Sequence, residues 1–120
     1  MKERRFAPRY PCNFEIQVVS PEGQQVALAC NISTSGIAVQ ISRDILQHIG
    51  VDQQLLNIGD ELQLQLPPTG SRESNNLAYR GQVQYIRRLS QESYQLGLQF
   101  AALDNRQLAR LDQWIGSCNI

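Results

Sequence analysis

Hydrophobic and polar residues alternate with period two over most of the chain, and this pattern predicts strands. After Pro11, residues Phe14, Ile16 and Val18 alternate with Glu15, Gln17 and Val19, as in a half-buried strand. Residues 20–23 (SPEG) read as a turn, because Pro21 fixes φ and Gly23 permits a positive φ. Residues 25–30 (QVALAC) form a second strand, with Val26, Leu28 and Cys30 on one face. A polar turn follows over residues 31–36, and Ile37, Val39 and Ile41 mark a third strand. Residues 61–66 (ELQLQL) alternate again, with Leu62, Leu64 and Leu66 inward. Residues 77–89 predict a long strand with Tyr79, Gly81, Val83 and Tyr85 on one face, extending to Arg87. Residues 94–100 (YQLGLQF) give the last strand, marked by Leu96, Leu98 and Phe100.

Two stretches depart from period two. Ser42 can cap a helix and Asp44 suits its first turn; Ile45, Leu46 and Ile49 then fall at helical spacing until Gly50. The rest of 42–58 reads equally as a loop that docks Leu55, Leu56 and Ile58 on the core. Residues 67–76 (PPTGSRESNN) are loop-like. Asp104 and Asn105 are capping residues, and Leu108, Leu111, Trp114 and Ile115 form the stripe of an amphipathic helix. Six short strands with turn-rich spacing predict an all-β fold: a six-stranded antiparallel β-barrel whose opening or edge is covered by a C-terminal α-helix. The expected organisation is a single domain over residues 1–120, with an N-terminal arm (1–11), a barrel (12–100) and a helix (104–117). The glutamines on the polar strand faces (Gln17, Gln63, Gln65, Gln82, Gln84, Gln95, Gln99) read as a solvated exterior.

Composition narrows the functional classes. A hydrophobic content of 42% suits a globular core and argues against bulk disorder. No run approaches the roughly 20 apolar residues of a membrane span, and no apolar stretch follows the basic start. The expectation is a cytoplasmic protein with no membrane span. Net charge is zero, but Lys2, Arg4, Arg5 and Arg9 face only Glu3 in the first nine residues. A local cationic segment on a neutral body suits a small anion, not DNA or RNA. Cys12, Cys30 and Cys118 lie far apart, and with the single His48 they make no metal-ligand spacing. No nucleophile motif, paired acidic motif or phosphate-cradling loop of an enzyme is present. The expectation is therefore a non-enzyme with no metal and no cofactor.

Two motifs carry the candidate chemistry. Arg5 and Arg9 form R-x-x-x-R, which Arg4 extends to RRxxxR; Asn31, Ser33 and Gly36 form N-x-S-x-x-G, beginning 22 residues after Arg9. An arginine fork can grip a phosphate or guanine O6 and N7 with two parallel hydrogen bonds. Pro8 and Pro11 disfavour helix at Ala7 and Tyr10, so the arginines project from an extended segment. Binding would order such a segment and so generate a signal. Asn31 and Ser33 offer short polar groups that bond a base edge or hold their own turn, and Gly36 lets backbone or ligand approach.

In this order and at this spacing, RRFAPR and NISTSG resemble the signature of the PilZ domain family, and YQLGLQF with Gly97 resembles its late strand. The resemblance covers essentially the whole chain. It implies a six-stranded barrel with a C-terminal helix and reversible binding of cyclic di-GMP, with the signal relayed by ordering of the arm to an unidentified protein partner. Carried over by position, Arg5 and Arg9 would bind phosphate and guanine, while Asn31, Ser33 and Gly36 would contact guanine or shape its pocket. Asn31 stands where many members have Asp. A basic residue at Arg4 goes, in the family, with binding two intercalated copies of the ligand. Arg43, Arg80, Arg87 and Arg88 are further candidate cations that sequence does not rank. The alternative is a PilZ-like adaptor that engages protein without nucleotide.

Overall fold

The computed structural model describes residues 8–20, 23–49, 56–68 and 76–118, apart from the side chains of Ser20, His48 and Cys118. Arg4, Arg5, the first part of the expected arm, Gly50, Leu55 and the centre of the 67–76 loop lie outside the described residues. The elements run β1 (Tyr10–Ser20), β2 (Gly23–Ile32), β3 (Gly36–Ser42), α1 (Arg43–His48), β4 (Glu61–Leu66), β5 (Leu77–Arg88), β6 (Ser93–Phe100) and α2 (Asn105–Cys118). The six strands close into a barrel in the order β1-β2-β3-β6-β5-β4. Every neighbouring pair is antiparallel. The β1–β4 seam that closes the barrel is short, three residue pairs from Gln17↔Gln65 to Val19↔Gln63.

The lumen is filled by the alternating residues that the period predicts. Ile16, Val18, Ile37, Val39, Ile41, Leu62, Leu64, Leu66, Val83, Leu96, Leu98 and Phe100 are all buried. Tyr79 lies against Phe100 with ring centroids 5.3 Å apart. The interior is therefore a packed core and leaves a ligand only the outer surfaces. Ser42 caps α1 by accepting from the Ile45 N–H at 3.2 Å, as its position before Asp44 suggests.

Three placements differ from the simple period. Val26, Leu28 and Cys30 share a face, but it is the exterior; Ala27 and Ala29 fill the lumen instead. Small residues on β2 leave room for the larger Ile and Leu side chains opposite. Ile58 stays exposed, and only Leu56 of that loop reaches the core among the described residues. The third concerns β5. The register slips between Val83 and Tyr85, where Gln84 is the extra residue. A bulge of one residue reverses the parity of everything beyond it. Tyr85 and Arg87, expected on the face of Val83, therefore point outward, and Ile86 turns in.

α2 closes one end of the barrel. Asp104 and Gln107 form a reciprocal cap: the Gln107 N–H donates to Asp104 at 2.8 Å and the Asp104 N–H to Gln107 at 2.9 Å. Leu111 is fully buried, and Trp114 stacks on Phe14 with ring centroids 3.7 Å apart. Side chains then fasten the helix to strand ends. Tyr79 donates to the Gln107 carbonyl at 2.8 Å and the Gln107 amide to the Ala78 carbonyl at 2.8 Å. Arg110 donates to the Leu66 carbonyl at 3.2 Å, and the Trp114 indole to the Pro67 carbonyl at 2.9 Å.

A candidate nucleotide-binding trough on the barrel wall

The β1–β2 hairpin brings the two motifs together. Pro11 pairs with Asn31 and Tyr10 with Ile32, so Arg9 emerges beside the turn that follows β2. The 22-residue separation is thus the length of one hairpin. Arg9 donates from Nη1 to Asn31 Oδ1 at 2.8 Å. A Cβ added to Gly36 would stand 3.2 Å from Arg9 Nη2 and 2.3 Å from the Leu98 carbonyl oxygen. Gly36 is therefore required twice: it lets β3 approach β6, and it leaves the guanidinium room above the sheet.

Ser33 has a different role from its motif partners. It is fully buried. Its Oγ accepts from the backbone N–H groups of Ser35 at 3.0 Å and Gly36 at 3.1 Å, while its own N–H donates to the Gly36 carbonyl at 2.9 Å. The hydroxyl therefore holds the turn that presents Gly36 beneath Arg9.

Register extends the site across four strands. Asn31 pairs with Ala38, Ala38 with Gly97, and Gly97 with Tyr85. All four lie on the exterior face, in a row that spans roughly 15 Å at the usual strand spacing. The centre of the row is small. A Cβ on Gly97 would fall 2.0 Å from Tyr85 Cε2, so the ring lies directly over the glycine. Tyr85 is nevertheless 40% exposed. Arg9, Ser35, Gln84, Tyr85, Gly97, Leu98 and Gln99 line a trough of about 210 Å³ here. None of them is a carboxylate, so an anion meets cation, amide and aromatic face without a repelling charge.

The next row down the wall is polar. Gln40 pairs with Gln95, and Gln95 with Arg87. Arg87 donates from Nη2 to Gln95 Oε1, and the Gln95 side chain also hydrogen bonds the Cys30 thiol. Burial pushes the Cys30 thiol above its ordinary range, while the bonds from Gln95 and the Gln40 backbone pull it back. Two other clefts contain none of the motif residues: one of about 320 Å³ is lined by Gln63, Ala78, Tyr79, Arg80 and Gln107. The other, of about 470 Å³ between β1 and α2, is lined by Pro11, Cys12, Asn13, Phe14, Trp114 and Ser117, with no charged side chain.

Of the residues expected at the site, Arg9, Asn31 and Gly36 converge, Ser33 supports them from below, and Arg4 and Arg5 lie outside the described residues. Sequence reasoning missed Tyr85, Gln84 and Gln99. The only signal for Tyr85 was Gly97, a glycine inside a strand, which marks a close approach.

These features define a small closed β-barrel that carries its candidate site on the outer wall. The PilZ domain family matches residues 3–117, and the chain belongs to that family. Several solved structures share the fold. MotI/DgrA, an inhibitor of motility from Bacillus subtilis, is 20% identical with a TM-score of 0.69, over 97% of this chain and 51% of that one. The PilZ domain of YcgR from Escherichia coli, solved with c-di-GMP, is 13% identical with a TM-score of 0.68, over 98% and 92%. MrkH from K. pneumonia, solved as a c-di-GMP complex, is 15% identical with a TM-score of 0.61, over 97% and 52%. The chain thus spans about half the length of MotI and of MrkH. No curated protein sequence matches it. Among the described residues no helix is long and apolar enough to cross a membrane.

Proposed function

We propose that this protein is a cyclic di-GMP receptor that binds the dinucleotide in the wall trough and passes the signal to a protein partner. The observation that carries the reading is the convergence of Arg9 with Asn31 and Gly36 beside a tyrosine laid over a glycine. Membership of the PilZ family and the c-di-GMP complexes of YcgR and MrkH support it. The dinucleotide presents two phosphates and two flat bases. Arg9 and its motif partner Arg5 are the forks for phosphate and guanine, Asn31 offers its amide to a base edge, and Tyr85 offers a stacking face. Ser33 and Gly36 shape the site. Arg4 is the residue by which a second, intercalated ligand would be held.

The forks, amide and aromatic face of this set suit recognition of the dinucleotide, the role that membership of the PilZ family supports. Output follows from the surface. Ligand held between Arg5, Arg9 and the barrel wall replaces an open trough with a closed one, and a partner reads the difference. The site requires an intracellular messenger, so the protein acts in the cytoplasm. Isothermal titration with cyclic di-GMP tests the reading: saturable binding in the micromolar range or tighter is expected. A folded protein that gives no heat at tens of micromolar ligand would refute it.

A further inference from the structure

We infer that Arg87 is a second base-reading fork of this site, set to recognise the guanine that stacks on Tyr85; the inference rests on the reading of the trough as a cyclic dinucleotide site. The bulge at Gln84 is the decisive observation. It turns Tyr85 and Arg87 together onto the exterior wall, two residues apart on one face of β5. Two strand residues span about 7 Å, so a base lying on the Tyr85 ring presents an edge toward the Arg87 guanidinium.

Two of the other candidate arginines are turned to other tasks, and the third sits on α1. Arg80 sits 4.0 Å from Glu61 at the β4–β5 seam and lines a separate cleft with Gln63, Ala78, Tyr79 and Gln107. Arg88 donates to the Ser90 carbonyl at 3.0 Å in the β5–β6 turn. Arg43 opens α1, and its backbone N–H donates to the Glu92 carbonyl at 2.9 Å. Arg87 alone of the four shares the row next to the trough.

Its setting suits recognition. Gln95, paired with Arg87 across the β5–β6 ladder, accepts one N–H of the fork. A guanidinium has five N–H donors, so a parallel pair stays available while Gln95 fixes its direction. Two parallel donors match guanine O6 and N7. Adenine carries an amino group in place of O6, so the same fork rejects it. Arg9 then works within the trough and Arg87 in the row beside it.

Calorimetry on the full chain tests this with cyclic di-GMP and with an analogue in which guanine N7 is replaced by CH. Arg87→Ala should weaken cyclic di-GMP binding roughly 10- to 100-fold. Arg87→Lys should weaken it nearly as much, because an ammonium keeps the charge and loses the fork. The analogue should bind the wild-type protein several-fold less tightly than cyclic di-GMP, and this N7 effect should be clearly smaller in Arg87→Ala, where only the guanine contacts of the motif arginines remain. Circular dichroism should show both variants folded, since Arg87 is exposed. Unchanged affinity in Arg87→Ala, full affinity in Arg87→Lys, or an equal N7 effect with and without Arg87 would each overturn the inference while leaving the receptor reading intact. Wild-type protein that binds no cyclic di-GMP would overturn both.

Discussion

The wall trough and the α2-covered end of the barrel use the same residue types in opposite ways. Each contains arginine, glutamine and a large aromatic ring. Under α2, Arg110 is 3% exposed and, like Tyr79, Gln107 and Trp114, donates to a backbone carbonyl. Those side chains satisfy groups that folding would otherwise strand, and a buried donor left unpaired is expensive. On the wall, Arg9 and Tyr85 in the trough and Arg87 in the row beside it are exposed, and each arginine donates to a neighbouring side-chain amide. Saturated polar groups hold the fold; exposed ones with donors to spare are available to a ligand.

This contrast can be broken by mutation, because the two regions should fail in different assays. The largest effect is expected from Arg9→Ala, which should weaken cyclic di-GMP binding roughly 100-fold or more. Its melting temperature should match the wild type, since Arg9 is exposed. Loss of stability in that variant would place Arg9 with the structural arginines. Arg110→Ala should do the reverse. Losing a buried stem and its bond to Leu66 should lower stability by about 2–4 kcal/mol in denaturant melts, with ligand affinity unchanged once the protein is folded.

Two motif residues should fail in both assays. In Gly36→Ala the new Cβ meets the Leu98 carbonyl at 2.3 Å, so β3 and β6 must part. A loss of about 1–3 kcal/mol is expected, together with weakened binding. Ser33→Ala strands two N–H groups and should cost about 1–3 kcal/mol, with a modest fall in affinity as the turn loosens. Normal stability with lost binding in Ser33→Ala would show that the hydroxyl meets the ligand directly.

The smallest expected effect is on pH dependence. Burial raises the pKa of Cys30 above its ordinary 9.0 and that of Tyr79 above its ordinary 10.0. The folded state therefore holds these protons more tightly than the unfolded chain. That contribution is complete below the ordinary values and is lost as pH rises past them. Thermal melts should be flat through neutrality and decline above about pH 9, and Tyr79→Phe should flatten the upper part of the decline.

The fold was legible because lumen and exterior alternate along each strand, and the period of two survives in single residues such as Leu62, Leu64 and Leu66. α2 was legible through Leu111, Trp114 and Ile115 and the Asp104 cap, while Leu108, read on the same stripe, is exposed. The motif half of the site was legible because its spacing equals a hairpin. The other half was not. Gln82-Val83-Gln84-Tyr85 continues an unbroken alternation, so nothing in the letters marks Gln84 as extra. The bulge is fixed by pairing with β6, where Leu98 must face in and Gly97 must sit under the Tyr85 ring. Ser33 shows the same limit: a hydroxyl beside a glycine fits a ligand contact or a turn clamp, and only its burial decides.

The packed lumen has a consequence in time. Among the described residues no strand must part for a molecule to reach the trough, because Gln84, Tyr85 and Gln99, which line it, are exposed on the outer wall. Escape is then limited by the lifetime of the ligand's own contacts, those to the arm arginines included. A receptor built this way reports the present level of its messenger, including a falling one, with little memory of an earlier peak.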